Sequence, residues 1–285
     1  MPRLNDIKPI DEVVSLLLYG NTKTGKTMFV GSAGDRTVII SPSFGLATLN
    51  SPLYKHMYGS NPIIEIVDEE PLPDKALGFD RVKELVELYL ENPEIDTIVV
   101  EDITNLRAMA MNKGLEMNGK LLSGAGAPRT STLQKMRAMK SPAIIAKEVG
   151  DYTAEMGFIE SLVKNAVTFA KEAKKHFIMT AHERCTYKPP DKMGGIRVLE
   201  KIAPGFTGQT FPDEVVGFFD LIWHSEVLGS GDRTFYQIRT AGSSSLIAGT
   251  RAGAGLFPTV FEKQPSFLDV VNCIRTGSPY TLSKR

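Results

Sequence analysis

The chain has 285 residues, 42% apolar and 23% charged, which is length enough for one large core and an ordinary balance for a globular protein. Its 33 basic and 33 acidic side chains cancel, so no overall field favours nucleic acid, and the distant Cys185 and Cys273 suit neither a disulfide framework nor a zinc site. No apolar run approaches the roughly 20 residues that span a bilayer, and residues 1–8 lack the apolar stretch of a signal peptide; a cytoplasmic protein without membrane contact is expected.

The first strong signal is the apolar run Val13-Val14-Ser15-Leu16-Leu17-Leu18-Tyr19, read as a strand, which leads directly into Gly20-Asn21-Thr22-Lys23-Thr24-Gly25-Lys26-Thr27. The following Met28-Phe29-Val30 suits a helix. A glycine-rich turn between strand and helix is the P-loop pattern. Gly20 and Gly25 permit the bend that converges backbone N–H groups on a triphosphate. Lys26 brings an ammonium to the β- and γ-phosphates, Thr27 a hydroxyl to Mg²⁺, and the helix its positive end. Residues 20–28 are therefore the expected nucleotide cradle.

Further β-branched runs alternate with helical patterns, the signature of βαβ units and a mainly parallel sheet. Thr37-Val38-Ile39-Ile40-Ser41 and Pro62-Ile63-Ile64-Glu65-Ile66-Val67 are the next strands. An amphipathic helix follows, with Val82, Leu85, Val86, Leu88 and Tyr89 on its apolar face. Residues 61–102 hold 13 acidic side chains against Lys75, Arg81 and Lys83; residues 103–150 reverse this, with eight basic against Glu116 and Glu148. The second block, broken by Gly114, Gly119, Gly124, Gly126 and Pro128, reads as a loop insertion able to bind anions.

Between these blocks, Thr97-Ile98-Val99-Val100 ends in Glu101-Asp102. Carboxylates at the C-terminal end of an apolar strand stand where ligands of open α/β sheets gather. This is a Walker B pattern, and either acid can serve Mg²⁺ or the attacking water. Adjacent strand residues point to opposite sides, so the two acids should divide the work. A helix from about Thr153 to Lys175 leads to the strand Phe177-Ile178-Met179-Thr180-Ala181, which ends at His182, a candidate sensor of the γ-phosphate. Gln209 and Thr210 could play that part from downstream. Residues 184–214 are rich in Gly, Pro and basic side chains, and the runs 217–224 and 234–240 suggest an antiparallel hairpin.

The order of these motifs resembles the RecA-like ATPases, and among them the Sak-type single-strand-annealing recombinases of phages, also described as phage nucleotide-binding AAA proteins. The matching elements are Gly20 to Thr27, Val99 to Thr104, Ile178 to Glu183, Pro204 to Gly208 leading to Phe219-Asp220, and Ile238-Arg239-Thr240 followed by Ala248-Gly249-Thr250-Arg251. The resemblance implies an α/β RecA-like P-loop core over residues 1–255, with loop insertions at 112–150 and 184–212 and a short extension at 256–285. It implies ATP and Mg²⁺, assembly of copies head to tail in a ring or filament in a bacterial host's cytoplasm, and single-stranded DNA bound by the two loops. A single-strand-binding protein is a candidate partner. The DNA-contacting side chains would be Arg129, Lys135, Arg137, Arg184, Lys188, Lys192, Arg197 and Lys201, with Tyr187 and Phe206 stacking on bases. Arg251 would reach a neighbour's γ-phosphate as a finger in trans.

One departure stands out. RecA-like proteins commonly carry a glutamate just after the second strand, and here that stretch, Ile40-Ser41-Pro42-Ser43-Phe44-Gly45, has no carboxylate. Either Glu101 or Asp102 takes over the water, or the protein hydrolyses slowly and works as a switch; in the first case Glu101 would aid Mg²⁺ and Asp102 the water. A helicase or packaging motor, a small-molecule kinase and a nucleotide-gated regulator that binds no DNA are the competing readings.

Overall fold

A computed structural model of the chain describes residues 13–42, 45–68, 76–117, 149–188, 197–208, 210–229, 235–253 and 255–281. Its centre is a ten-stranded sheet. The strands are β1 (Ser15–Gly20), β2 (Thr37–Ser41), β3 (Ile63–Ile66), β4 (Thr97–Val100), β5 (His176–Lys188), β6 (Val198–Pro204), β7 (Leu221–Leu228), β8 (Phe235–Arg239), β9 (Gly249–Thr250) and β10 (Val260–Phe261). The helices are α1 (Lys26–Gly31), α2 (Pro52–Met57), α3 (Gly78–Glu91), α4 (Ile103–Met117), α5 (Val149–Glu172), α6 (Phe211–Val216) and α7 (Phe267–Thr276).

Across the sheet the order is β10-β8-β7-β1-β5-β4-β2-β3, and β7, β1, β5, β4, β2 and β3 run parallel. The antiparallel strands β8, β9 and β10 cluster around β7 at the other edge, where β7 and β8 form the expected hairpin. The P-loop strand β1 is thus flanked by β5 and β7, and the Glu101-Asp102 strand β4 lies beyond β5.

The central strands are apolar at nearly every position because both faces are covered. Leu17 and Tyr19 of β1 point into one core with α3, α4 and α5, while Leu16 and Leu18 point into a second with α1 and α7. This two-sided burial explains why the parallel strands read as unbroken β-branched runs. Of residues 256–285, an extension by sequence, the described part to 281 packs into the second core. β10 pairs with β8, and α7 buries Phe267, Val270 and Val271. Ser266 caps α7 through its hydroxyl, which accepts from the Asp269 N–H, and Gly277 closes it in the left-handed conformation.

In the stretch 184–212, expected as a loop, the described residues are largely regular. β5 continues six residues past Gly20's partner His182 and pairs antiparallel with β6 from Glu183–Pro204 to Lys188–Val198. Along β5, Cys185 and Tyr187 alternate with the polar Arg184, Thr186 and Lys188, a strand pattern. Residues 118–148, most of the other insertion, lie outside the described residues. Among the described residues no helix is long and apolar enough to cross a membrane, and both cysteines are free thiols.

Candidate nucleotide site

Gly20 ends β1 level with His182 of β5 and Ser225 of β7. A Cβ at Gly20 would lie 2.0 Å from the Ser225 carbonyl oxygen, so no other residue fits there. Ser225 also donates its hydroxyl to the Thr24 carbonyl at 2.6 Å, pinning the loop to β7. Lys23 and Gly25 turn through the left-handed region, with φ of 61° and 87°; only the glycine does so without steric cost. The Gly25 carbonyl accepts from Gln264 Nε2 at 2.9 Å, which ties the cradle to the far end of the chain.

Lys26 is buried, and its ammonium donates to the carbonyls of Gly20 (3.0 Å) and Asn21 (2.6 Å). Burial lowers its pKa, opposed by the charges of Asp102, Glu101 and Glu183. Of these, Glu101 and Asp102 line with it a cleft of about 1600 Å³. The expected residues Thr22 to Met28, Glu101, Asp102 and His182 all line that cleft, and Leu228, Phe235 and Tyr236 of the β7–β8 hairpin form an apolar wall.

The two acids have different partners. The Thr27 hydroxyl donates to Glu101 Oε1 at 2.5 Å, whereas Asp102 turns its Oδ2 to His182 Nε2 at 3.0 Å and its Oδ1 to the Thr104 N–H at 2.8 Å. Glu101 is 7% exposed, and burial raises its carboxyl pKa to about 7 against the lowering effect of the Thr27 hydrogen bond. Its Oε2 is buried without a partner, as are Thr180 Oγ1 and His182 Nδ1. Unpaired buried polar atoms gathered in a cleft are where a ligand is missing. An unpaired carboxylate oxygen beside a hydroxyl is a hard oxygen donor set that fits Mg²⁺, which takes few protein ligands and completes its shell with phosphate and water. The described residues contain no group of three or more His, Cys, Asp or Glu side chains able to hold a metal ion.

Several contacts here carry no sequence signal. Besides Ser225 and Gln264, Glu183 holds the buried His224 ring, Oε2 to Nε2 at 2.8 Å. Arg107 of α4 donates to the Gly205 carbonyl at 2.5 Å and to Glu155 at 2.7 Å. Such pairs join residues 41 to 239 positions apart, and no spacing rule reaches that far.

Other expected residues lie elsewhere. Arg251 follows β9, which pairs with the start of β7 at Leu221 and Ile222, the sheet end opposite Gly20. It donates to the Gly217 carbonyl at 2.5 Å and stands 3.8 Å from Asp220, so it does not join the phosphate site of its own chain. Phe206 is fully buried, edge-on to Phe211 at 5.9 Å, and cannot stack on a base; an aromatic among glycines and cations reads as exposed, but the core claims it. Tyr187 is exposed on the ribbon. Arg184 donates to the Phe206 and Gly208 carbonyls and Lys201 pairs with Asp213 at 2.7 Å, while Lys188 and Arg197 are exposed. Thr210 stands at the start of α6 and is not part of the cleft wall. Arg129, Lys135, Arg137, Lys192 and Gln209 lie outside the described residues.

No protein-family model and no curated protein matches the chain. Among solved structures it is similar to a KaiC-like protein of the hyperthermophilic archaeon Pyrococcus horikoshii, with 11% identity, 79% of this chain and 77% of that one covered, and a TM-score of 0.37.

Proposed function

We propose that the chain is a Mg²⁺-dependent ATPase with a RecA-like core that couples hydrolysis to binding of single-stranded DNA in phage-type recombination or annealing. One observation carries the ATPase reading: the Thr27 hydroxyl meets Glu101, 74 positions away, at 2.5 Å, beside an unpaired carboxylate oxygen. P-loop and strand-end acid thus belong to one site.

In this reading the backbone of residues 20–27 binds the phosphates. Lys26 exchanges its two loop carbonyls for phosphate oxygens. Thr27 and Glu101 offer hydroxyl and carboxylate to Mg²⁺, which when bound supplies neutralisation of the charge that grows on the transferred phosphoryl group. Asp102, oriented by His182, accepts the proton of the attacking water, a contribution of about 10²- to 10⁴-fold. The hairpin wall of Leu228, Phe235 and Tyr236 excludes water from the base.

The purified chain is expected to turn over ATP only with Mg²⁺, faster with single-stranded DNA, and Lys26→Ala should cut the rate by at least about a hundredfold. Absence of turnover in the wild type would remove the ATPase reading. Turnover that ignores DNA at low salt would remove the recombinase reading alone. A second reading then applies, a nucleotide-gated regulator without DNA. It is favoured by Arg184 and Lys201, two expected DNA contacts that already have partners within the chain.

A further inference from the structure

A closed circuit of contacts surrounds the Asp102–His182 pair, and its far side is a buried ion pair that the hydrolytic chemistry does not use. α4 begins at Ile103, directly after Asp102, and one turn in carries Arg107. The Arg107 guanidinium spreads in three directions. Nε donates to Glu155 Oε1 of α5 at 2.7 Å, Nη1 to the Gly205 carbonyl at 2.5 Å, and Nη2 to the Thr207 hydroxyl. That hydroxyl in turn donates to Glu155 Oε1 at 2.5 Å. The Glu155 side chain is 4% exposed, so its charge depends on Arg107.

Gly205 closes the circuit. Its N–H donates to the His182 carbonyl at 2.7 Å, and a Cβ there would approach that oxygen to 2.9 Å. The path therefore runs from Asp102 along α4 to Arg107, across to Gly205, and back through the His182 backbone to the imidazole that meets Asp102 at 3.0 Å. The same segment leaves the β5–β6 ribbon, and its next carbonyls, Phe206 and Gly208, accept from Arg184 of β5. Phe206 plugs it into the core.

We infer that Arg107 is a positioning residue: it sets the His182 imidazole against Asp102 and links the hydrolytic end of the sheet to the β5–β6 ribbon. Only a planar fork with donors in three directions serves; a lysine would keep Glu155 neutralised but lose the geometry. The inference about rate rests on the ATPase reading above, and the inference about His182 does not.

The experiment compares wild type, Arg107→Lys and Thr207→Val, the last removing only the hydroxyl that bridges Arg107 and Glu155, for the case where the arginine variant folds poorly. Histidine ring resonances are followed by NMR in the full chain, with His176, far from the circuit, as internal control. In either variant the His182 ring signals should shift while those of His176 stay in place. For Arg107→Lys, kcat should fall about tenfold or more with the dissociation constant for an ATP analogue within about threefold. Unmoved His182 signals in both variants, or parallel loss of kcat and affinity, would overturn the assignment. Shifted His182 signals in a chain that hydrolyses no ATP would keep Arg107's role and remove the ATPase reading.

Discussion

Around β1, β5 and β7 the two ends of the parallel sheet treat buried polar groups in opposite ways. Where these three strands begin, Asp220 is 5% exposed and both of its carboxylate oxygens are bonded: Oδ2 accepts from the Ser15 N–H (3.1 Å) and hydroxyl (2.6 Å), and Oδ1 from Lys171 (2.9 Å). His176 beside it accepts the Val14 N–H at 3.0 Å. Where the strands end, Glu101 Oε2, Thr180 Oγ1 and His182 Nδ1 are buried and unpaired. A satisfied network stabilises; an incomplete one is completed by something that binds. This part of the sheet is thus bolted at one end and left open at the other.

The comparison breaks first at Glu101. Glu101→Gln should lower ATP turnover about a thousandfold, a loss within the range for removing a charged catalytic partner, while thermal stability holds or rises. A stability loss instead would make Glu101 a structural group like Asp220. Conversely, Asp220→Ala should destabilise the chain by about 3 kcal/mol in urea titration, because Lys171 and the Ser15 donors lose their acceptor, with nucleotide affinity unchanged in the surviving folded protein.

A smaller effect separates the ends by pH. The Glu101 carboxyl is raised from 4.5 to about 7 in the folded chain, so the folded state holds its proton longer; that stabilisation is present below pH 4.5 and lost as pH rises through 7. Burial lowers the His176 imidazole from 6.5 to about 4, so its contribution is present above pH 6.5 and lost as pH falls through 4. The two slopes, each at most about 1.4 kcal/mol per pH unit, oppose one another in the overlap. Glu101→Gln should unmask a fall in Tm on acidification below pH 6.5, and His176→Gln a rise between pH 7 and 4.5; Tm profiles parallel to wild type would count against both assignments. The smallest change is Arg251→Ala: about 0.5 kcal/mol of stability, given its exposure, and turnover within about twofold. A turnover defect that grows with protein concentration would instead restore the finger in trans.

The bolted end was nearly illegible in the sequence and the open end partly legible, for a physical reason. Gly20, Gly25, Lys26 and Thr27 are read by spacing because a local turn dictates them, and Glu101-Asp102 by their place after an apolar run. The different partners of the two acids, Thr27 and His182, approach them only in the fold. Asp220 carries no local signal, since its partners Ser15 and Lys171 lie 205 and 49 positions away. The parallel strands and the β7–β8 hairpin were visible because two-sided burial and a glycine-rich turn leave local marks. Strand order, the β5–β6 ribbon and the burial of Phe206 and α7 were hidden, being decided by packing between distant segments.

The place of β1 has a consequence for the chain's birth. Its neighbours begin at Phe177 and Leu221, and the clasp on Gly25 comes from Gln264. At about 5–20 residues per second of synthesis, Leu16-Leu17-Leu18 waits on the order of ten seconds or more for a strand to pair with. Through that interval an aliphatic segment has no sheet to enter, and a chaperone or the ribosome surface must shelter it. The cradle that opens the sequence is therefore among the last parts to be finished, and a nascent chain stalled before Leu221 would have no means of holding nucleotide.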